Sequence, residues 1–458
     1  MPGSVNISET AQFKMRPYRV AFAYLLVLVG CLFFVIKGRH DESLTLQSVD
    51  FKQPYASARC LLKHCNPYSE TDTRAAFIDA GGALGRESRW LFVPYSALYP
   101  PSTLALLAPF AALPYPAAHN VWLIFSGISF SVAGFAIADL SIEYSTFWVP
   151  ALLAVFLASS TILLMEGQIS GVEMAFVAIG VWSLIRNKAP LLGVFLLGCA
   201  LALKPHDSWL VAVYFLFAGK AFRRRFWQMS IVAAAITLAG CFWCWANPAS
   251  VHWFHNLMVN VSGNTRTGGV DDPGLSNNGV LAIANLQTLI SVFISNPHFY
   301  NLVTYAICGA LVFALFYFAA KSPNSPEKHL VGIAAAACIT ILPIYHRQYD
   351  TRILILAFPA VAVLLAYRKR WGWCGLVLTA IAGVATCHIY LRKLGPHFLR
   401  IFASFGHFSI AQRLQMALLY RPLPLIMLIL AVFFIAALRN TTRKDNRDVQ
   451  RPLPKVAA

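Results

Sequence analysis

Charge is scarce in this sequence. Only 12% of its 458 residues are Asp, Glu, Lys or Arg, about half the share found in an ordinary soluble domain. That shortage excludes a chain whose surface lies mostly in water. The 58% hydrophobic content and a mean hydropathy of +0.60 place the surface in lipid instead. Acids are the scarcest, 19 against 37 Lys and Arg. The resulting positive charge comes without the basic-aromatic module that nucleic-acid binding needs. Its Lys and Arg sit in short loops between apolar runs, where the positive-inside rule places them, so nucleic acid is not an expected partner.

Other absences narrow the chemistry. There is no Walker loop, dinucleotide fingerprint or serine elbow, which argues against nucleotide-driven reactions. No spacing resembles a zinc site, and most of the ten cysteines lie in apolar runs as small core residues. The weak alternation of a β-barrel is missing. So are a soluble domain, a long linker, a low-complexity segment and an internal repeat. No small-x-small cleavage site follows the first apolar run, Val20 to Ile36; Lys37-Gly38-Arg39 follows it, and the run reads as an uncleaved anchor.

What remains is a series of long apolar runs. They predict helical spans near 20–37, 117–138, 147–164, 170–186, 189–204, 206–220, 227–246, 301–320, 329–344, 353–367, 372–391 and 421–438. A further piece, Ser102 to Leu113, is about 18 Å long as a helix, too short for a hydrocarbon core of about 30 Å. Putting Arg186/Lys188, Lys220 with Arg223 to Arg225, Lys321/Lys328 and Arg368 to Arg370 on the cytoplasmic side is satisfied by twelve spans. Thirteen is the alternative if Ser102–Leu113 also crosses. The expectation is an all-α integral membrane protein of the plasma (inner) membrane with both termini cytoplasmic. It comprises one polytopic domain over 1–438 and a basic tail over 439–458. The external side then receives the loops 38–100, 247–300 and 392–420, together with small polar turns at 166–168, 204–207 and 346–352. Acids, amides, histidines and aromatics collect there, so chemistry is expected on that side.

The first external loop opens with Asp50. From Pro54 the chain can form a helix with Tyr55, Ala58 and Leu62 on one face and Arg59/Lys63 beside it, an interfacial helix with a basic edge at lipid-phosphate depth. Asn66-Pro67-Tyr68 is a turn signal that ends it. Cys60 and Cys65 share this loop, where a disulfide is permitted, although a continuous helix would hold them too far apart. Tyr95 and Tyr99 fit interfacial anchors. Lys204, with His206 and Asp207 behind it, needs water or an anion where two apolar runs meet, and Glu166-Gly167-Gln168 is a similar polar notch. In Tyr345-His346-Arg347-Gln348-Tyr349-Asp350-Thr351-Arg352, Arg347 or Arg352 can hold a phosphate as a planar fork while Asp350 fixes geometry. Arg266 and Asp271-Asp272-Pro273-Gly274 lie in the second large loop. The acid pair there reads as a turn or a divalent-metal site, and the amides of Asn277 and Asn278 suit sugar hydroxyls.

These motifs, in this order, resemble the GT-C-type glycosyltransferases that use polyprenyl-phosphate sugars, most closely glycosyltransferase family 87. The resemblance rests on Asp50-Phe51, Asn66-Pro67-Tyr68, Tyr99-Pro100-Pro101, Gly167-Gln168, Leu203-Lys204-Pro205, Asn278-Gly279 and Tyr349-Asp350, over roughly residues 15 to 370. It implies a GT-C-type bundle that moves a hexose, mannose favoured, from a polyprenyl-phosphate donor to a lipid or glycan acceptor. Asp50 would be the general base of one inverting displacement. Lys204 and a cation near Arg59 or Arg347 would stabilise the departing phosphate. Gln168, His346, Asn277 and Asn278 would orient the sugar, with Tyr68, His206, Asp350 and Arg352 also at the substrate. Membrane lipids are further partners, and no cofactor is implied. A divalent metal stays open, because Asp50 stands alone where a paired acid motif is expected. The other classes that fit the spans are a lipid-linked sugar flippase, which needs no base at position 50, and a non-catalytic envelope-assembly protein.

Overall fold

The computed structural model describes residues 17–44, 48–83, 98–145, 147–275, 277, 282–321, 325–387 and 409–449, with side chains to 440. Among these residues the architecture is all-helical, with one isolated extended bridge between Ile283 and Arg347. The long helices are α1 (Pro17–Leu44), then α5 (Tyr115–Ile142), which follows three short helices, α2 (Val49–Leu62), α3 (Glu70–Asp79) and α4 (Pro101–Ala111). Next come α6 (Trp148–Ala158), α7 (Ile162–Met165), α8 (Ile169–Arg186), α9 (Pro190–Leu203), α10 (Pro205–Phe217) and α11 (Lys220–Ala246). The second half runs through α12 (Trp253–Thr265), α13 (Leu286–Ile290), α14 (Pro297–Lys321), α15 (Pro326–Thr340), a 3-10 segment (Asp350–Leu356), α16 (Ala357–Tyr367), α17 (Lys369–Ala385), α18 (Ile410–Gln415) and α19 (Pro422–Val449). Prolines open α4, α9 and α10 at the first turn, where their missing N–H has no partner to lose.

Among the described residues, eight helical stretches are long and apolar enough to cross a bilayer: 17–44, 115–142, 148–165, 169–186, 220–246, 297–321, 350–367 and 422–440. The chain is an integral membrane protein. Large apolar side chains such as Leu28, Phe33, Ile231, Leu238, Phe242, Leu302 and Phe313 point outward, as lipid contact requires. A helix stands at each of the twelve expected spans, but α9, α10, α15 and α17 have only 14, 13, 15 and 17 residues, about 20–26 Å. Two of them have a physical reason to be short. α10 is largely buried, and α15 is buried from Lys328 to Thr340. Packed among α10, α14, α16 and α19, α15 meets protein rather than lipid, and its length need not match the bilayer. The piece expected over 102–113 is α4, an 11-residue helix laid against α2 and α11.

The first loop differs most from expectation. α1 runs on to Leu44 rather than stopping near 37, and Glu42 is buried against His119 at 3.0 Å. α2 begins at Val49, not Pro54, which lies inside it. The reason lies across the chain. The N–H groups of Ser48 and Asp50 reach the carbonyls of Met165 and Glu166 at 3.3 and 2.9 Å, so a neighbouring turn caps the helix start. α2 is a buried element, with Phe51, Tyr55, Ala58 and Leu61 inside and Phe51 stacked on Trp122 at 4.9 Å. Its cations do not form a free basic edge. Arg59 donates to the carbonyls of Ala111 and Ala112 at 2.9 and 3.1 Å, capping α4, and Lys63 pairs with Asp79. α2 ends at Leu62, and His64 turns the chain at φ 58°, which brings Cys60 and Cys65 to a Cα separation of 5.0 Å and joins them as a disulfide.

Candidate active site

A cavity of about 760 Å³ opens where the start of α2, the α7–α8 turn, the α9–α10 junction, α12 and the chain at 344–350 converge. That volume suits a small-molecule site. Its lining mixes apolar residues, Val49, Leu98, Leu203, Val261, Val270 and Ile344, with the polar Asp50, Glu166, Lys204, His206, Arg347 and Asp350.

Asp50 and Glu166 come from separate segments and meet in this lining. Beyond the backbone bond between them, their carboxyls are in hydrogen-bond contact. Gly167 makes the junction possible. Its φ is +64°, and a Cβ there would stand 2.7 Å from that of Ser48. Trp122 Nε1 donates to the Gly167 carbonyl at 2.9 Å, and Gln168 Nε2 donates to Glu166 Oε2 at 3.2 Å. Burial raises both acids, but unequally. It pushes Asp50 up, against Arg347, the contact with Glu166, and Lys204, which pull it down. Glu166 is pushed well above the glutamate range, by burial and then by the charge on Asp50. The pair shares one environment, and the stronger upward push on Glu166 favours a proton there over Asp50.

Beside this pair lies a denser network. Lys204 Nζ sits 2.7 Å from Ser170 Oγ, 2.9 Å from Asp207 Oδ2 and 2.5 Å from Asp350 Oδ1. Ser170 donates to Asp350 Oδ1 at 2.6 Å, and the Arg347 N–H donates to its Oδ2 at 2.9 Å. His346 Nδ1 lies 3.0 Å from the Ile344 carbonyl and its Nε2 lies 2.9 Å from Asp207 Oδ1. Both ring nitrogens face acceptors, which favours the imidazolium. Burial opposes that charge, yet the pairing with Asp207 prevails and His346 is raised. Two cations thus balance two carboxylates. Backbone pairing holds this turn in place: Ala284 N to His346 O and Gln348 N to Ala282 O, both 2.8 Å.

Arg347 is placed differently. Its side chain is 32% exposed, lines the cavity, donates to the Tyr345 hydroxyl and stands 3.7 Å from Asp271. An anion in the cavity can reach it. The ligand atoms of His206, Asp207 and His346 lie within 4.8 Å of one another, as metal ligands do. The Lys204 ammonium at 2.9 Å already neutralises Asp207, so a divalent ion fits there only by displacing it. The Asp271-Asp272 pair is a turn: Asp272 accepts from the Gly268 and Gly274 N–H groups, both at 2.8 Å.

The family model for glycosyltransferase family 87 matches residues 97–343, more than half of the chain. The chain belongs to glycosyltransferase family 87. It is therefore a membrane glycosyltransferase, with a sugar donor and an acceptor as its partners, and the flippase and scaffold readings give way. The matched span holds Glu166–Gln168 and Lys204–Asp207; Asp50 and His346–Asp350 lie outside it. No curated protein and no solved structure matches the chain.

In this family 87 chain the expected site residues divide. Asp50, Lys204, His206, Arg347 and Asp350 line one cavity, and Gln168 and His346 stand directly behind it. Tyr68 supports the wall from outside, its hydroxyl donating to the Tyr99 carbonyl at 3.1 Å. Three residues lie elsewhere. Arg59 caps α4. Asn277 ties its own loop through the Val270 and Asp272 carbonyls at 2.9 and 2.8 Å. Arg352, fully buried, donates to the Ser159 and Thr386 carbonyls at 3.1 and 2.8 Å, joining the ends of α6 and α17. Asn278 and Tyr95 lie outside the described residues, as do residues 388–408 of the third loop. Sequence reasoning left out Glu166, Ser170 and Asp207 as site residues. A signal for the last two existed: Ser170 and Glu173 repeat at helical spacing in an apolar run, and Asp207 follows Lys204 by three.

Proposed function

We propose that this enzyme moves a hexose, with mannose favoured, from a polyprenyl-phosphate donor to a lipid or glycan acceptor. The cavity lies on the external face of the plasma membrane, opposite the short basic loops. The observation that carries the reading is the lining itself. A carboxyl, Asp50, and an accessible guanidinium, Arg347, share one cavity with a set of apolar side chains. The apolar residues suit the first units of an isoprenoid chain and the polar ones suit a sugar phosphate. Asp50 takes the proton of the acceptor hydroxyl as its oxygen bonds to the anomeric carbon. The bond from that carbon to the phosphate oxygen breaks in the same step, inverting the centre. The electron pair leaves on the phosphate, where Arg347 meets the growing charge. Lys204, locked between Asp207 and Asp350, fixes the frame rather than following the phosphate.

The experiment is transfer of labelled mannose from polyprenyl-phosphate mannose to extracted envelope lipids by the purified protein. Wild type is expected to label an acceptor, and Asp50→Asn, equally folded in detergent, to lose about a thousandfold in rate, the middle of the range that a general base supplies and above the roughly hundredfold that a misplaced contact costs. Turnover by Asp50→Asn close to wild type overturns the base assignment.

A further inference from the structure

We infer that Glu166 is the protonated partner of the base, a positioning residue that holds Asp50 as an aimed, ionised acceptor in the cavity. This rests on the reading of Asp50 as base and adds a second acid that the sequence motifs do not supply. The geometry points to it from several sides. The backbones of the two residues are joined at 2.9 Å, which keeps the roots of both side chains together. Both line the same cavity. The turn that carries Glu166 is built for this one placement. Gly167 at φ +64° admits Ser48 and Phe51 at a distance no side chain would allow, and Trp122 and Gln168 pin the carbonyl and the carboxyl from behind. Two carboxylates in contact inside a protein cannot both be ionised, so one keeps its proton. Arg347 acts on both acids, while Lys204 acts on Asp50, which favours the charge there.

A neutral Glu166 then does two things. Its O–H donates to the Asp50 carboxylate, orienting one oxygen and leaving the other for the acceptor hydroxyl. By favouring the charged form it also keeps Asp50 ionised despite burial. Glu166 does not change protonation in the cycle. The acceptor proton goes to Asp50 and leaves from Asp50 to water after product departs.

The test is the pH profile of kcat/KM. Glu166→Leu keeps the bulk and removes the donor, so the acid limb is expected to move upward by on the order of one pH unit, the worth of a hydrogen bond to a charged group. Loss of activity is then about tenfold below the limb and small above it. Glu166→Gln can still donate through its amide, and its limb is expected within a few tenths of wild type. A uniform loss at all pH values in Glu166→Leu, with the limb unmoved, overturns the proposal. A limb that moves as far in Glu166→Gln does so too. An infrared difference spectrum of wild type minus Glu166→Gln at neutral pH supplies a readout that needs no turnover. A protonated-carboxyl band is expected; an ionised-carboxylate band overturns the proposal even if Asp50 proves to be the base. Full activity of Asp50→Asn with the protonated band present would sink the base and leave Glu166 as a neutral acid.

Discussion

Arg59 and Arg347 are the same residue type in loops expected on the same side of the membrane, and only their surroundings separate them. The guanidinium of Arg59 is committed to two carbonyls at the end of α4. That of Arg347 borders the cavity, beside Asp271 and the Tyr345 hydroxyl. Arg347→Gln is therefore expected to lower kcat/KM for the proposed sugar-phosphate donor by roughly 10- to 100-fold, the range of one charge-assisted hydrogen bond. Arg347→Lys, which keeps the charge and loses the fork, should fall between. Arg59→Gln should stay within about twofold in kcat/KM and lose up to about 1 kcal/mol of stability with the cap. Parallel donor titrations of the three variants check this; an Arg59→Gln defect equal to that of Arg347→Gln would return the phosphate to α2. The sequence makes both cations visible and cannot rank them, because what decides is which carbonyls the fold brings within reach. Glu166 shows the same limit. Its partner stands 116 positions earlier in the chain, and nothing local to either acid marks the pair.

Helices were legible to the extent that hydropathy speaks. Every long apolar run forms one, and the prolines at 101, 190 and 205 mark true starts. The start of α2 was not legible, because its cap is a turn far along the chain rather than a residue before it. That turn gives a prediction at the scale of the element. Gly167→Ala must hold a left-handed backbone, at about 1–2 kcal/mol, and must push its Cβ into Ser48, 2.7 Å away. The start of α2 is displaced, and Asp50 with it. Both Tm in detergent and kcat should fall, kcat by about tenfold or more, with KM for the donor less affected because Arg347 sits on another segment. Gly263→Ala is the control. It lies in α12 with nothing within 4 Å of its Cβ position, and alanine there should be neutral or stabilising by up to about 1 kcal/mol. Equal losses at the two glycines would remove the claim that the turn positions the base.

At the scale of the whole molecule, hydropathy reports that a run is apolar but not whether lipid or protein surrounds it. Of the twelve apolar runs, eight form membrane-length helices among the described residues, and two of the four shorter ones, α10 and α15, are enclosed by neighbouring helices. Enclosure also allows the bundle to carry charge at its centre. Ser170 of α8, Asp207 of α10, Lys204 at the α9–α10 junction and Asp350 at the start of the 3-10 segment meet around one ammonium, and His346 closes the set. Breaking one member leaves a buried charge without its partner, which is strongly destabilising. The set therefore works as a lock between elements, and it has a sign in pH. His346 is raised in the folded protein, burial notwithstanding, because Asp207 holds its imidazolium. Its contribution is fully present below the unfolded value of about 6.5 and is lost as pH rises through the higher folded value, at about 1.4 kcal/mol for each unit between the two. Thermal unfolding in detergent from pH 5.5 to 9 is expected to show Tm falling across that window. His346→Gln, which can donate to Asp207 but does not titrate, should start lower and remain flatter. A wild-type Tm that does not fall, or a His346→Gln curve with the same slope, would show that the imidazolium does not hold the bundle together.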